Sequence, residues 1–145
     1  MTTDDPFDLE RFVVAQDPLY GRVIVELGQG RKTSHWMWFI FPQIAGLGRS
    51  PTSMKYSISG LQEAKAYLGH EVLGKRLRDC VNLLLRLQEV TAVAVFGGVD
   101  SQKLRSSMTL FGQAAPQDGC FQAVLDRFFD GKGDPATLAI LEEKK

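Results

Sequence analysis

At 145 residues the chain fits one domain with little room for two, and a chain of this size buries roughly two thirds of the surface it exposes when unfolded. Its residues are 44% hydrophobic and 23% charged, which excludes the apolar-poor, charge-rich make-up of a disordered chain. Lys+Arg and Asp+Glu are equal at 17 each, so the basic excess of a dedicated DNA- or RNA-binding domain is missing and no nucleic-acid partner is expected.

Asp5-Pro6 reads as a helix N-cap with proline at the first helical position, and Phe7, Leu9, Phe12 and Val13 supply an apolar face behind it. Asp17-Pro18 repeats the start signal. Leu19, Val23, Ile24 and Leu27, spaced by three and four, predict a second helix ending near Gly28 or Gly30. From about residue 31 to 59 clean amphipathic spacing is lost, and a long irregular segment is expected; such segments in compact domains are often functional.

Leu61, Ala64, Lys65 and Leu68 restore helical order up to Gly69. A longer helix follows from about Glu71, with Val72, Leu73, Leu77, Cys80, Val81, Leu84 and Leu87 as its buried stripe. Gly74 sits inside it at a cost of about 1 kcal/mol against alanine. Thr91 caps a short element, Ala92 to Phe96, whose residues suit helix or strand. Asp100 reads as the next N-cap, ahead of an apolar edge at Leu104, Met108 and Phe111. A further helix carries Phe121, Val124, Leu125, Phe128 and Phe129 up to Gly131 and Gly133. Asp134-Pro135 opens a last short helix with Leu138 and Leu141 turned inward. No strand–helix alternation is present, which argues against a doubly wound sheet. The expected class is all-α: one helical domain spanning 1–145, with an irregular segment at about 31–59.

The first residues are acidic and polar, unlike a secretory signal. The longest aromatic-apolar run, Trp36 to Phe41, is stopped by Pro42, well short of the roughly 20 residues that cross a bilayer. A cytoplasmic protein without a membrane partner is expected. Cys80, on the helical stripe, reads as a buried small hydrophobe; Cys120, beside Gly119 and Phe121, is open to either reading.

Familiar catalytic patterns are missing. Gly28-Gln29-Gly30-Arg31-Lys32-Thr33-Ser34 has the wrong glycine spacing for a phosphate loop and follows a helix where a strand is required. His35 and His70 have no ligand-spaced partners, so no metal site is legible, and no cofactor is indicated. His70, at a helix start, reads as a cap or surface residue. Ser106-Ser107 lacks the turn that exposes a catalytic serine.

The strongest signal is the segment Ser34 to Gln43, with Trp36, Trp38, Phe39 and Phe41 inside six residues. Trp36, Phe39 and Phe41 read as core anchors. His35, Trp38 and Gln43 combine stacking surface with polar handles, and read as the border of a ligand cleft. Further candidates are Lys55 and Tyr56 in the irregular segment, and Lys103, Ser106 and Ser107, spaced to share one helix face.

These residues also carry a family resemblance. The run His35 to Gln43, then Gly46-Leu47-Gly48, Ser50-Pro51, Tyr56-Ser57-Ile58, Ala64 to His70 and Lys103 to Phe111, resembles a widespread bacterial family of small proteins of unknown function, often labelled "calpastatin" automatically. The resemblance implies a mainly helical single domain, the fold of a mycobacterial hypothetical protein of that type, and no known activity or site. The label implies a long disordered protease inhibitor, whereas this chain reads as compact. Members often have proline after the histidine equivalent to His70; here Glu71 follows.

Two functions compete. One is a binding protein or enzyme for a small, polar, ring-bearing ligand, with processing of NAD or ADP-ribose derivatives as a distant variant. The other is a non-catalytic interaction module, such as a homo-oligomer anchored through the aromatic segment. A concave polar pocket lined by His35, Trp38 and Gln43 would favour the first; a flat exposed apolar patch at Trp36 and Trp38 would favour the second; both rings fully buried with no cavity would make the segment scaffold and take support from both.

Overall fold

The computed structural model describes residues 5–144; the first four residues, with part of the acidic start, and Lys145 lie outside the described residues. The described residues are helical with no strand, and their buried apolar side chains form one continuous core.

The first two helices correct two expected starts. Asp5 does cap α1 (Glu10–Gln16), but from a distance: its carboxylate accepts from the Leu9 and Glu10 N–H groups at 2.7 and 3.0 Å. Pro6 therefore lies in a preceding turn, which Asp8 closes at φ 53°. Asp17 ends α1 instead of opening α2 (Tyr20–Gln29). Its backbone is helical, its N–H donates to Val13 O at 2.9 Å, and its carboxylate is engaged by Arg76 at 2.9 Å. The stop signal holds, with Gly30 adopting φ 74° and donating to Leu27 O.

The irregular middle contains two short helices, α3 (Met37–Ile40) and α4 (Pro51–Lys55). Ser50 caps α4, accepting from Ser53 N at 3.1 Å, and Pro51 takes the first helical position. A single parallel bridge joins Ile44 and Ile58: Ile58 N donates to Gln43 O and Ala45 N to Ile58 O, both at 2.8 Å. This stretch lacks helical spacing because tertiary packing folds it. Trp36, Met37, Phe39, Ile40, Phe41, Ile44 and Ile58 are all buried.

The rest is a helical stack: α5 (Leu61–Gly69), α6 (Leu73–Arg86), α7 (Ala92–Phe96), α8 (Gly98–Ala114), α9 (Cys120–Phe128) and α10 (Pro135–Glu143). The ambiguous element at 92–96 is a helix, capped by Thr91, whose Oγ1 accepts from Ala94 N at 3.0 Å. Helix α8 starts two residues before Asp100, with Gly97 at φ 82° as its cap, so Asp100 lies in the first turn. Asp134 and Pro135 open α10 as expected. The central α8 packs against α5, α7, α9 and α10, and its Phe111 ring lies between Tyr67 and Phe121, with centroids 5.3 and 5.8 Å away. His70 is a cap: its Nδ1 accepts from Val72 N and Leu73 N at 3.1 and 3.2 Å.

Candidate functional site

The loop after α2 is held by Glu26. This residue falls between Val23 and Leu27 on the buried face of the helix, where a carboxylate is unstable unless fully bonded. Its Oε1 accepts from Thr33 N, Ser34 N and the Trp36 indole N–H at 2.8, 3.0 and 3.0 Å; its Oε2 accepts from Ser34 Oγ at 2.7 Å. Burial alone would raise its pKa. The four hydrogen bonds outweigh burial and bring it down to about 2. Trp36 is thereby fixed in the core, edge-on to Phe96 and tilted against Phe41.

The same loop delivers Lys32 to α8. Its side chain is only 7% exposed; its backbone N–H donates to Val95 O at 2.8 Å, and its ammonium reaches Ser34 O. The ammonium lies 2.9 Å from Asp100 Oδ2 and 5.1 Å from the centre of the Trp36 ring. Three residues along α8, Lys103 approaches the other Asp100 oxygen at 3.5 Å and rests 4.9 Å from the Trp38 ring centre. Two ammonium groups thus share one carboxylate, and each lies over one of the two indoles. The Lys103 ammonium rests beside the half-buried Trp38, where cation–π attraction of about 0.5–2 kcal/mol holds it.

Of the residues singled out by sequence, Trp38 and Lys103 are brought together. His35 is exposed on the loop between Lys32 and Trp36, and Gln43 is half-buried beside the bridge; neither side chain makes a hydrogen bond among the described residues. Lys55 and Tyr56 serve packing. The Tyr56 ring lies against Phe12 and Phe39 with Lys55 over it, and Lys55 O accepts from Arg11.

The shared face expected for Lys103, Ser106 and Ser107 is not an open one. Ser106 turns to α10, 2.8 Å from the Thr137 hydroxyl, and Ser107 is fully buried with its hydroxyl unpartnered. The reason is that α8 is covered by neighbours on several sides. Clefts of about 360 to 550 Å³ are lined by other parts of the chain, without His35, Trp38 or Gln43.

Residues 6–141 match the family described as "Protein of unknown function (DUF1810)". The chain belongs to that family. The crystal structure of the conserved hypothetical protein Rv1873 from Mycobacterium tuberculosis is similar to it, at 49% identity and a TM-score of 0.94, over 95% of this chain and 99% of that one. A comparison with curated proteins gave no match. The DUF1810 chain therefore has the fold of that hypothetical protein, the family carries no assigned function, and the family resemblance read from the sequence is established. No helix among the described residues is long and apolar enough to cross a membrane.

Lys32, Asp100 and Glu26 were missed as site residues. In the sequence Lys32 falls in the segment rejected as a phosphate loop, and Asp100 reads as a cap. The signal for Glu26 was available: an acid on the apolar stripe of α2 must have partners within the fold.

Proposed function

We propose that this DUF1810 protein binds a small, anionic, ring-bearing ligand at the surface formed by Trp38, Lys103, Lys32 and Asp100. The observation that carries the reading is the pair of ammonium groups sharing one carboxylate beside the half-buried Trp38 ring. A ligand ring would take the place of Lys103 on the indole, and its anionic group would pair with the displaced Lys103 ammonium.

Both carboxylates here are engaged, Asp100 by the two lysines and Glu26 by four hydrogen bonds, so the arrangement favours binding over acid–base hydrolysis of an NAD or ADP-ribose derivative. An interface anchored by both indoles has less support, because Trp36 is fully buried.

The test is a thermal-shift screen of nucleotides, NAD derivatives and sugar phosphates against their uncharged counterparts, on wild type, Trp38→Ala and Lys103→Met. Ligand at a hundredfold excess over Kd stabilises by about 2.7 kcal/mol. The expected result is a shift with anionic ring compounds that disappears in both variants. A shift that persists undiminished in Trp38→Ala and Lys103→Met overturns the site.

A further inference from the structure

A cleft of about 550 Å³ opens between the C-terminal end of α5, the first turns of α6 and the segment after α8. Its walls carry Lys65, Arg78, Gln113 and Gln117, with Ala114 and Pro116 among the apolar residues. Two cations line it and no carboxylate does. Asp118, outside the lining, pairs with Arg78, so the unbalanced charge in the cleft is that of Lys65.

Arg78 is fixed in place. Its Nε and Nη2 donate to one oxygen of Asp118, at 3.0 and 2.7 Å, and its Nη1 donates to Leu68 O at 3.1 Å. A guanidinium has five N–H donors, so two remain. The backbone makes room for this grip at Gly74: a Cβ there would lie 2.1 Å from Leu68 O and 2.8 Å from Arg78 Nη1. A glycine in the first turns of a helix is thus tied to the position of this arginine. Lys65, on the opposing α5, is exposed and has no acidic partner among the described residues. The amides of Gln113 and Gln117 add neutral donors and acceptors along the third wall.

We infer that this cleft binds a small polar molecule carrying a carboxylate or phosphate group. The oxyanion lies between the Lys65 ammonium and the remaining N–H groups of Arg78, and the neutral part of the molecule faces Gln113 and Gln117. Binding needs no movement of Arg78, whose orientation Asp118 and Leu68 already set. The site is separate from the Trp38 surface and stands whether or not that reading holds.

The experiment is a titration of the full chain, followed by ¹H–¹⁵N NMR at constant ionic strength, with inorganic phosphate in one arm, succinate in a second and chloride as reference. Saturable shifts are expected at the side-chain amides of Gln113 and Gln117 and at the backbone amides of 65–69, 113–115 and 117 in at least one of the first two arms. The indole N–H signals of Trp36 and Trp38 are expected to stay in place. Lys65→Gln, at an exposed position, is expected to weaken binding by about tenfold, the effect of losing one charge-assisted contact. Which arm saturates identifies phosphate or carboxylate as the group recognised. The inference is overturned by linear, non-saturating shifts in both arms, by shifts that chloride reproduces, or by unchanged affinity in Lys65→Gln.

Discussion

Replacing Glu26 by Gln tests whether a buried charge organises the loop that carries Lys32, His35 and Trp36. The glutamine carbonyl can occupy the position of Oε1 and keep the bonds from Thr33 N, Ser34 N and Trp36 Nε1; its NH₂ can donate to Ser34 Oγ, a hydroxyl able to accept. Geometry is therefore preserved, and charge is what is lost. A carboxyl held at about 2, against its ordinary 4.5, favours the ionised form in the fold by about 3 kcal/mol. With roughly 2.1 cal/mol/K of unfolding entropy per residue, 145 residues give about 0.3 kcal/mol/K, so the variant should melt about 10 °C lower at pH 7.

The pH dependence has a definite sign. The folded pKa is depressed, so this stabilisation is complete above about 4.5 and is lost as pH falls from there toward about 2. Thermal melts of both proteins from pH 7 to pH 2.5 should show a gap that is constant down to about 4.5 and then narrows. Other carboxylates titrate in both proteins and largely cancel in the difference. A gap equal at pH 7 and pH 3, or no gap at pH 7, would refute the argument that ionised Glu26 holds the loop.

Two further substitutions have clear signs. Gly74→Ala should destabilise by about 2 kcal/mol despite alanine's advantage of about 1 kcal/mol in helix propensity, because the new Cβ meets the backbone carbonyl of Leu68 at 2.1 Å and that atom cannot move aside cheaply; a melting temperature equal to or above that of wild type would count against it. Ser107→Ala should stabilise by about 1 kcal/mol, since the fully buried hydroxyl has no partner and its removal relieves that desolvation at little loss of packing; chemical denaturation showing a loss above 1 kcal/mol would mean that the hydroxyl is bonded after all.

Much of the fold was legible in the sequence. Apolar residues at spacings of three and four marked α2, α5, α6, α8 and α9, because burial of one helix face needs only local periodicity. Capping chemistry located α7 and α10 and the end of α2, where a single side chain or a left-handed glycine satisfies the terminal backbone groups. The same chemistry misled at Asp17, which closes a helix, and at Asp100, which lies inside one. A short acid suits several positions near a helix end, and its long-range partners, Arg76 and Lys32, decide among them.

The core part of the aromatic segment was also readable. Trp36, Phe39 and Phe41 are core, as large rings in a small domain tend to be. The way this segment folds was not readable, since its order comes from an isolated bridge and from packing against helices distant in sequence. The meeting of Trp38 with Lys103, and of Lys32 with Asp100, depends on contacts between residues more than 60 positions apart. Periodicity marked the buried faces of the longer helices, but Leu138, expected to turn inward, is exposed, and Glu26 is buried. Only tertiary packing decided which charges meet over which ring, because electrostatic partners are chosen by distance in space and leave no repeating pattern along the chain.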